Sequence, residues 1–444
     1  MEIEKIIIGL EVHVELKTAS KMFCSCSADH FGKIPNTQTC PVCLGLPGAL
    51  PVPNKKAVEW TILLGAALGG EIQKYSCFER KNYFYPDLPK GYQISQYRHP
   101  FILGGAIVLN SGKKIRIKRI HLEEDTGKLL HETVEQEKVS LIDFNRSGVP
   151  LVEIVSEPDI NSSEEAKEYL EKIQKVVRYL DISSGDMEKG SMRCEPNVNL
   201  AISDSGRIFY TPIVELKNIN SFRFVKKAID FEVNRLFKEF QKNRIEKAKG
   251  NKQTRGWDDT RQITFPQREK EEENDYRYFP DPDIPPIEWT DEEISNFKKQ
   301  ASIFELPWDK KARFQSQYLL SASQAEILTE EKTLADFFEQ CSKLGKEKKI
   351  SPVEIANIII NKRSPAGLSP AQLIDWISHQ KNSPSISEAQ IDQLIIKYLS
   401  EHKEAVAGYK AGKVQALGVI VGLIKKETGI IVPIEKIAKF VDKI

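Results

Sequence analysis

The sequence predicts an α+β protein, with a mostly β N-terminal domain flanked by helices, then an all-α helical domain and a small helical tail domain. Short alternating stretches dominate the first part, "YRYFPDPDIPP" forms an extended linker, and helical periodicity continues to the C-terminus. At 444 residues the chain exceeds one ordinary core. We therefore expect domains at 1–290, 291–398 and 399–444.

Composition places the chain among soluble globular proteins, with 40% hydrophobic and 29% charged residues. Its 64 Lys and Arg nearly balance its 63 Asp and Glu, so a nucleic acid would bind a local basic patch. The N-terminal "MEIEKIIIGL" lacks a signal-peptide pattern, and no apolar run is long enough to span a bilayer. We predict a cytoplasmic protein without membrane contact.

The stretch "GLEVHVELK" alternates apolar and polar residues, which is typical of a strand. One face carries the apolar side chains Leu10, Val12, Val14 and Leu16. The other face carries Glu11, His13 and Glu15. Taken alone, such a face is either solvated sheet surface or the wall of a cation site.

Four of the seven cysteines form two close pairs, Cys24 with Cys26 and Cys40 with Cys43. Two such pairs across a turn-rich loop have the spacing of a structural zinc site, whose four thiolates leave no open position for chemistry. Buried free thiols are the alternative. The scattered cysteines are interpreted as core residues: Cys77, Cys194 and Cys341.

The N-terminal part contains a predicted hairpin and three predicted helices. The hairpin turns at Asn110-Ser111-Gly112. One helix runs from Asn54 or Lys55 to a Gly69-Gly70 stop, a second follows Ser162 with Glu165 completing a capping box, and a third follows Ser221. The apolar stripe of the second comprises Ala166, Tyr169, Leu170, Ile173, Val177 and Leu180.

The segment 244–274 is polar and dense in charge. A solvated loop is one interpretation. However, "TRGWDDTRQITFPQRE" contains Trp257, a residue type that is often buried, and paired acids, which favours ordered structure.

Further acids recur on other predicted strands. "RIHLEEDTGK" carries His121, Glu123, Glu124 and Asp125. "GSMRCEPNVNLAI" places Arg193, Glu195, Asn197 and Asn199 on one face, and "TPIVELKNINSF" places Glu215 and Lys217 on one face. Clustered acids repel unless water or a cation neutralises them, and oxygen ligands of this kind suit Mg²⁺. The sequence contains no phosphate-binding loop motif, so bound ATP would be held by metal and carboxylates.

The stretch "KNYFYPDLPKGYQISQY" concentrates aromatic residues among prolines and lysines. A packed irregular loop explains such a stretch. A surface that stacks bases, or one that lines a passage, is the functional alternative.

Eight motifs in order over about residues 4–290 resemble the B subunits of tRNA-dependent amidotransferases. They are "IGLEVHVEL", "TCPVCLGLPGALPVPN", "KNYFYPDLPKGYQISQ", "IHLEEDTGK", "DFNRSGVPLVEIVSEPD", "GSMRCEPNVNL", "VELKNINSF" and "DYRYFPDPDIPP". The resemblance implies a cradle domain that binds the acceptor end of mischarged Glu-tRNA(Gln) or Asp-tRNA(Asn). It implies that ATP phosphorylates the side-chain carboxylate and that ammonia then displaces phosphate.

The resemblance also assigns residues. It implies Mg·ATP-binding and catalytic roles for Glu11, His13, Glu124, Glu195 and Glu215, with Lys217 beside the nucleotide. Lys81 and Lys90 fall in the segment that adjoins the family's ammonia passage. The chain departs from the family at Gln253, where an acid is usual, and in its tail. In the tail, a YqeY-like domain, we predict phosphate contacts from Lys403, Lys410, Lys413, Lys425 and Lys426.

The chain has no recognisable amidase or glutaminase motif, so ammonia implies a partner. The resemblance implies a heterotrimer with an amidase-fold A subunit and a small C subunit, acting as a carbon–nitrogen ligase with glutamine as amide donor. Two alternatives remain open. One is a non-enzymatic zinc-containing tRNA-binding module, and the other is an archaeal-type relative that uses Glu-tRNA(Gln) only.

Overall fold

A computed structural model describes residues 1–134, 136–267, 276–382 and 387–441. The chain divides into two compact units, Met1–Asp336 and Phe337–Ile444. The first contains all the described strands and the second is helical, which confirms the predicted α+β class. The three-domain division, with boundaries after residues 290 and 398, stays a prediction.

The strands of the first unit are numbered along the chain. They are β1 Glu2–Glu15, β2 Glu71–Ile72, β3 Tyr75–Ser76, β4 Glu79–Asn82, β5 Tyr92–Ser95, β6 Ile102–Leu103, β7 Ala106–Val108, β8 Lys114–Glu124, β9 Lys128–Val134, β10 Glu137–Asp143, β11 Pro150–Ser156, β12 Met192–Asp204, β13 Arg207–Tyr210, β14 Val214–Lys217, β15 Gln253–Asp258, β16 Ile263–Pro266, β17 Phe279–Pro280 and β18 Ile287–Glu288.

The helices continue to the end of the second unit. They are α1 Lys55–Ala67, α2 Ser163–Tyr179, α3 Phe222–Asn243, α4 Asp291–Ile303, α5 Pro307–Tyr318, α6 Ala322–Leu328, α7 Lys332–Glu347, α8 Pro352–Ile360, α9 Pro370–Asn382, α10 Glu388–Glu401, α11 Lys403–Lys410, α12 Gly418–Thr428 and α13 Ile434–Val441, with a 3-10 helix at Val414–Leu417. No helix in the described ranges is both long and apolar enough to cross a membrane.

One large sheet organises the first unit. Its strand order is β16-β15-β14-β12-β1-β11-β8-β6-β2, with β13 beside β12 and β7 beside β8. The pairings are antiparallel except for β14 with β15, which is parallel. The central strand is therefore β1, the strand whose alternation was identified in the sequence.

The sheet has one apolar and one polar face, as the alternation predicts. Leu10, Val12 and Val14 are at most 1% exposed and belong to the same buried cluster as the stripes of α2 and α3. These two helices contact each other and pack against the apolar face. The acids of β1 consequently lie on the opposite face.

The predicted helix starts are confirmed by the caps. The side chains of Asn54, Ser162 and Ser221 each accept a hydrogen bond from the first turn of α1, α2 and α3. The prediction that Glu165 completes a capping box at α2 is wrong in one respect. The Glu165 carboxylate accepts from the backbone N–H of Asn161 at 2.8 Å, one residue before the N-cap.

Other local predictions have definite outcomes. The hairpin is confirmed, because β7 pairs with β8 around Gly112, whose φ is 84°. The solvated-loop interpretation of 244–274 is wrong for β15 and β16, which extend the sheet and bury Trp257. Residues 268–275 lie outside the described residues.

Candidate active site and metal centre

Strand register brings distant acids together on the polar face. In the β1–β12 pair, Glu11 lies opposite Glu195, and in the β1–β11 pair, His13 lies opposite Glu153. The β12–β14 pair places Asn197 opposite Glu215. Because directly opposed residues share a face, segments far apart in the chain converge over the middle of the sheet.

The first group on this face is Glu11, Glu195 and Glu215, whose carboxylate oxygens lie within 4.8 Å of one another. Asn197 donates to Glu11 Oε1 at 2.9 Å, and the Lys217 Nζ lies 2.7 Å from Glu195 Oε2. Burial raises the pKa of Glu11, and the neighbouring carboxylates raise it further. Such mutual repulsion is relieved by a divalent cation, so this group suits Mg²⁺.

The second group is His13, Glu123 and Glu153, whose ligand atoms also lie within 4.8 Å of one another. The His13 Nε2 lies 3.5 Å from Glu153 Oε2 and 3.8 Å from Glu123 Oε1. Burial alone would lower the pKa of His13, but the carboxylates of Glu153, Glu123 and Glu195 together outweigh it and the pKa rises to about 9. Binding a cation through this imidazole therefore requires a proton to leave.

Glu124 is not brought together with Glu11, Glu195 and Glu215. Adjacent residues of a strand point to opposite faces, so Glu123 joins the polar face and Glu124 turns away. The Glu124 carboxylate forms an ion pair with Lys90 and accepts a hydrogen bond from the Ile94 backbone N–H at 3.1 Å. Glu124 and Lys90 line a cavity of about 110 Å³.

Lys81 lies beside the second acid group. Its Nζ is 5.0 Å from the centre of the Tyr276 ring and 5.9 Å from that of Tyr83, within cation–π range. Burial disfavours the charged form, but Tyr278 and Glu123 together raise the pKa of Lys81 well above its usual range. The two predicted passage lysines thus lie in different places, Lys81 by the acids and Lys90 at the cavity.

The aromatic stretch is only partly a packed loop. Phe84 is 85% exposed, whereas Tyr97 stacks on Tyr278 with ring centres 4.6 Å apart. The Lys81 Nζ lies near the Tyr83 and Tyr276 rings, and the Lys90 Nζ lies 5.7 Å from the centre of the Tyr92 ring. An aromatic ring beside each lysine is consistent with the lined-passage interpretation.

Sequence reasoning missed Glu153 and gave no site role to Glu123. Glu153 was hidden because it is a lone acid in the apolar strand β11, between the buried Val152 and Ile154. The lone acid was itself the available signal, since a carboxylate within an apolar strand must meet a cation, water or a base. Its meeting with His13 depended on register, which the sequence did not reveal.

The four cysteines predicted to bind zinc converge. The sulfur atoms of Cys24, Cys26, Cys40 and Cys43 all lie within 4.8 Å of one another. Four thiols so placed fit tetrahedral coordination of a metal ion. The hydrogen bond with the Cys24 side chain lowers the pKa of Cys43 to about 5 and raises the pKa of Cys24, so Cys43 is the thiol of this pair that ionises more readily. The other three cysteines are buried, as predicted.

The tail lysines lie on the surface of the second unit. Lys403 and Lys410 are on α11, Lys413 follows it, and Lys425 and Lys426 end α12. All five are exposed. Within the described part of the chain none has a carboxylate within 4 Å, so their charges are available to a ligand.

Family comparisons cover nearly the whole chain. Residues 6–295 match the GatB/GatE catalytic domain, and residues 315–433 match the GatB domain.

Curated relatives extend over similar lengths. Proteins from Thermotoga petrophila and Thermosipho melanesiensis are 42% and 45% identical, each covering at least 95% of both chains. A third, from Thermodesulfovibrio yellowstonii, is 48% identical over 84% of this chain and 78% of its own. All three are named as the B subunit of an aspartyl/glutamyl-tRNA(Asn/Gln) amidotransferase. The chain therefore belongs to the family of aspartyl/glutamyl-tRNA(Asn/Gln) amidotransferase B subunits.

Proposed function

We propose that the polar face of the sheet binds Mg·ATP and activates the side-chain carboxylate of a mischarged Glu-tRNA(Gln) or Asp-tRNA(Asn). The observation that carries this proposal is the convergence of two acid groups on one face of the sheet. The family relationship supports the substrates and the ligase class. The archaeal-type alternative is disfavoured by the relatives' names, which cover both tRNA substrates.

The reaction follows from the poor reactivity of a carboxylate. One carboxylate oxygen attacks the γ-phosphorus of ATP and ADP leaves, so the acyl carbon acquires phosphate as leaving group. Ammonia then attacks that carbon, phosphate departs and a proton is lost, which leaves the amide. Mg²⁺ would neutralise charge on the phosphate oxygens. Glu11, Glu195 and Glu215 would hold it, with His13, Glu123 and Glu153 as a second candidate set.

We further propose that Lys90 and Glu124 belong to the ammonia passage. Their ion pair lies at the cavity rather than among the acids of the polar face. This assignment moves Glu124 from metal binding to ammonia delivery. The ammonia would come from an amidase-fold A subunit, with a small C subunit completing the complex, because the relatives are named as one subunit of a larger enzyme.

Lys90→Met tests this passage in the assembled complex. Removing the ammonium breaks the pair with Glu124, so we expect glutamine-dependent amidation to fall roughly tenfold, while amidation with ammonium chloride is retained because added ammonia reaches the site directly. Lys74→Met, an exposed lysine bound to Asp291, serves as the control. Equal loss with both nitrogen sources would place Lys90 in the chemistry instead.

We propose that the tail lysines contact tRNA phosphates. Because α10 crosses residue 398 and shares a core with α12, charge reversal is a cleaner test than truncation. The double variant Lys425→Glu/Lys426→Glu is expected to raise the KM for tRNA roughly tenfold and to lower the salt dependence of binding, with ATP binding unchanged. The control is the double variant Lys298→Glu/Lys299→Glu, which reverses two exposed lysines that are neighbours in sequence on α4, outside the tail. Unchanged tRNA affinity at physiological salt would refute the contact.

A further inference from the structure

Lys21 is a fully buried lysine at the edge of the four-cysteine centre. Its side chain is 0% exposed. Its Nζ donates to the Gln38 carbonyl at 2.8 Å, to the Phe144 carbonyl at 3.3 Å and to the Cys43 Sγ at 3.7 Å. The three donors of the ammonium are thus directed to two carbonyl oxygens and one cysteine sulfur.

Burying an ammonium costs free energy unless an anion is beside it. Among the described residues, no Asp or Glu carboxylate lies within 4 Å of the Lys21 Nζ. Phe144 and Gln38 supply only neutral carbonyls. When its thiols are ionised, the cysteine centre is therefore the one source of negative charge in contact with Lys21 among the described residues.

A four-thiolate zinc centre would supply the negative charge that the buried Lys21 ammonium requires beside it. Four thiolates around one divalent cation carry a net charge of about −2, which is itself costly in a low-dielectric interior. Lys21 offsets about half of that charge. The Cys40 backbone N–H also donates to the Cys43 sulfur at 3.1 Å, so Cys43 accepts two hydrogen bonds that orient it.

We propose that Lys21 is the counter-ion and positioning residue of the four-cysteine centre, so that its charge strengthens zinc retention. This inference rests on the structural zinc site that the cysteine spacing predicts. A packing role for Lys21 is the competing explanation. It predicts that an apolar side chain of similar length leaves zinc affinity unchanged, because stem contacts would be kept.

The test compares zinc retention in the full chain, co-purified with its partner subunits under reducing conditions. Lys21→Met keeps the length of the side chain and removes its charge. We expect one zinc per wild-type chain and a 10- to 100-fold lower zinc affinity in Lys21→Met, measured by competition with a chromogenic chelator. The control is Lys33→Met, which removes an exposed lysine of the same loop, paired with Asp29 at 3.0 Å. Cobalt substitution gives a second readout, since thiolate-to-cobalt absorption bands report the geometry of the centre directly.

Three results would overturn the proposal. Equal zinc affinity in wild type and Lys21→Met would show that Lys21 only packs. A wild-type chain without zinc would remove the centre itself, and this result is distinguishable because it appears before any substitution. If Lys21→Met does not fold, Lys21→Gln is measured with excess zinc. If the substitution only weakens zinc binding, excess zinc should restore the fold by mass action. A variant that stays unfolded in excess zinc therefore contradicts a counter-ion role.

Discussion

Glu11→Gln is expected to lower amidation of mischarged tRNA by about a hundredfold, equivalent to about 3 kcal/mol of transition-state stabilisation. The amide has the size of the carboxylate and relieves repulsion within the group of Glu11, Glu195 and Glu215, so the fold is retained. It removes a charged metal ligand, however. Ammonium chloride as nitrogen source confines the measurement to carboxylate activation, because the partner's glutaminase is bypassed.

Glu2→Gln is the matched control, since Glu2 lies at the exposed start of the same strand. It should amidate at the wild-type rate. The partner's basal glutamine hydrolysis should also survive in Glu11→Gln, because that chemistry is separate. A folded Glu11→Gln variant that amidates at the wild-type rate would show that this face is ordinary solvated sheet surface. The zinc-containing tRNA-binding module would then be the better description of the protein.

The second large effect concerns the cysteine centre. Cys40→Ser/Cys43→Ser is expected to bring zinc from about one equivalent to less than about a tenth, and to lower the midpoint of thermal unfolding by several degrees. The reason is that zinc bound only by the folded chain stabilises it. Carboxylate activation, measured with ammonium chloride at low temperature, should persist, because the acid groups lie on strands of the large sheet and the four cysteines lie in the segment between β1 and α1.

Cys341→Ala provides a control in which a buried thiol outside the centre is lost. The Cys341→Ala variant should retain its zinc, even if the loss of the buried thiol lowers the stability of the fold. Wild-type protein purified without chelator that contains no zinc, with all four thiols freely titratable, would contradict a metal role. The four residues would then be free thiols, the alternative that the sequence left open, although only Cys43 among them is buried.

The polar face was predictable because a strand has a period of two. Counting alternate residues from Leu10 was enough to place Glu11 and His13 together, and the same count grouped Glu195 with Asn197. Which strands neighbour β1 was not predictable from this count, because pairing is a long-range property. Glu153 therefore went unnoticed, although it lies directly opposite His13.

Glu123 and Glu124 show a different limit. The family motif favoured Glu124 as a metal ligand, whereas alternation in β8 pairs His121 with Glu123 on the polar face. Near the end of a strand, the sequence does not show how far alternation continues. β15 illustrates the same difficulty, because a polar segment forms a sheet strand through parallel pairing with β14, which no local pattern indicates.

We expect this chain to activate the tRNA-bound carboxylate by phosphorylation. The most direct measurement uses mischarged tRNA whose side-chain carboxylate carries ¹⁸O in both oxygens, incubated with the complex, ATP and ammonium chloride. If phosphate is transferred to that carboxylate, ammonia displaces it together with one carboxylate oxygen, so we expect one ¹⁸O atom in each inorganic phosphate released. Phosphate without ¹⁸O, formed at the rate of amidation, would show that ATP is cleaved by water and would contradict the account.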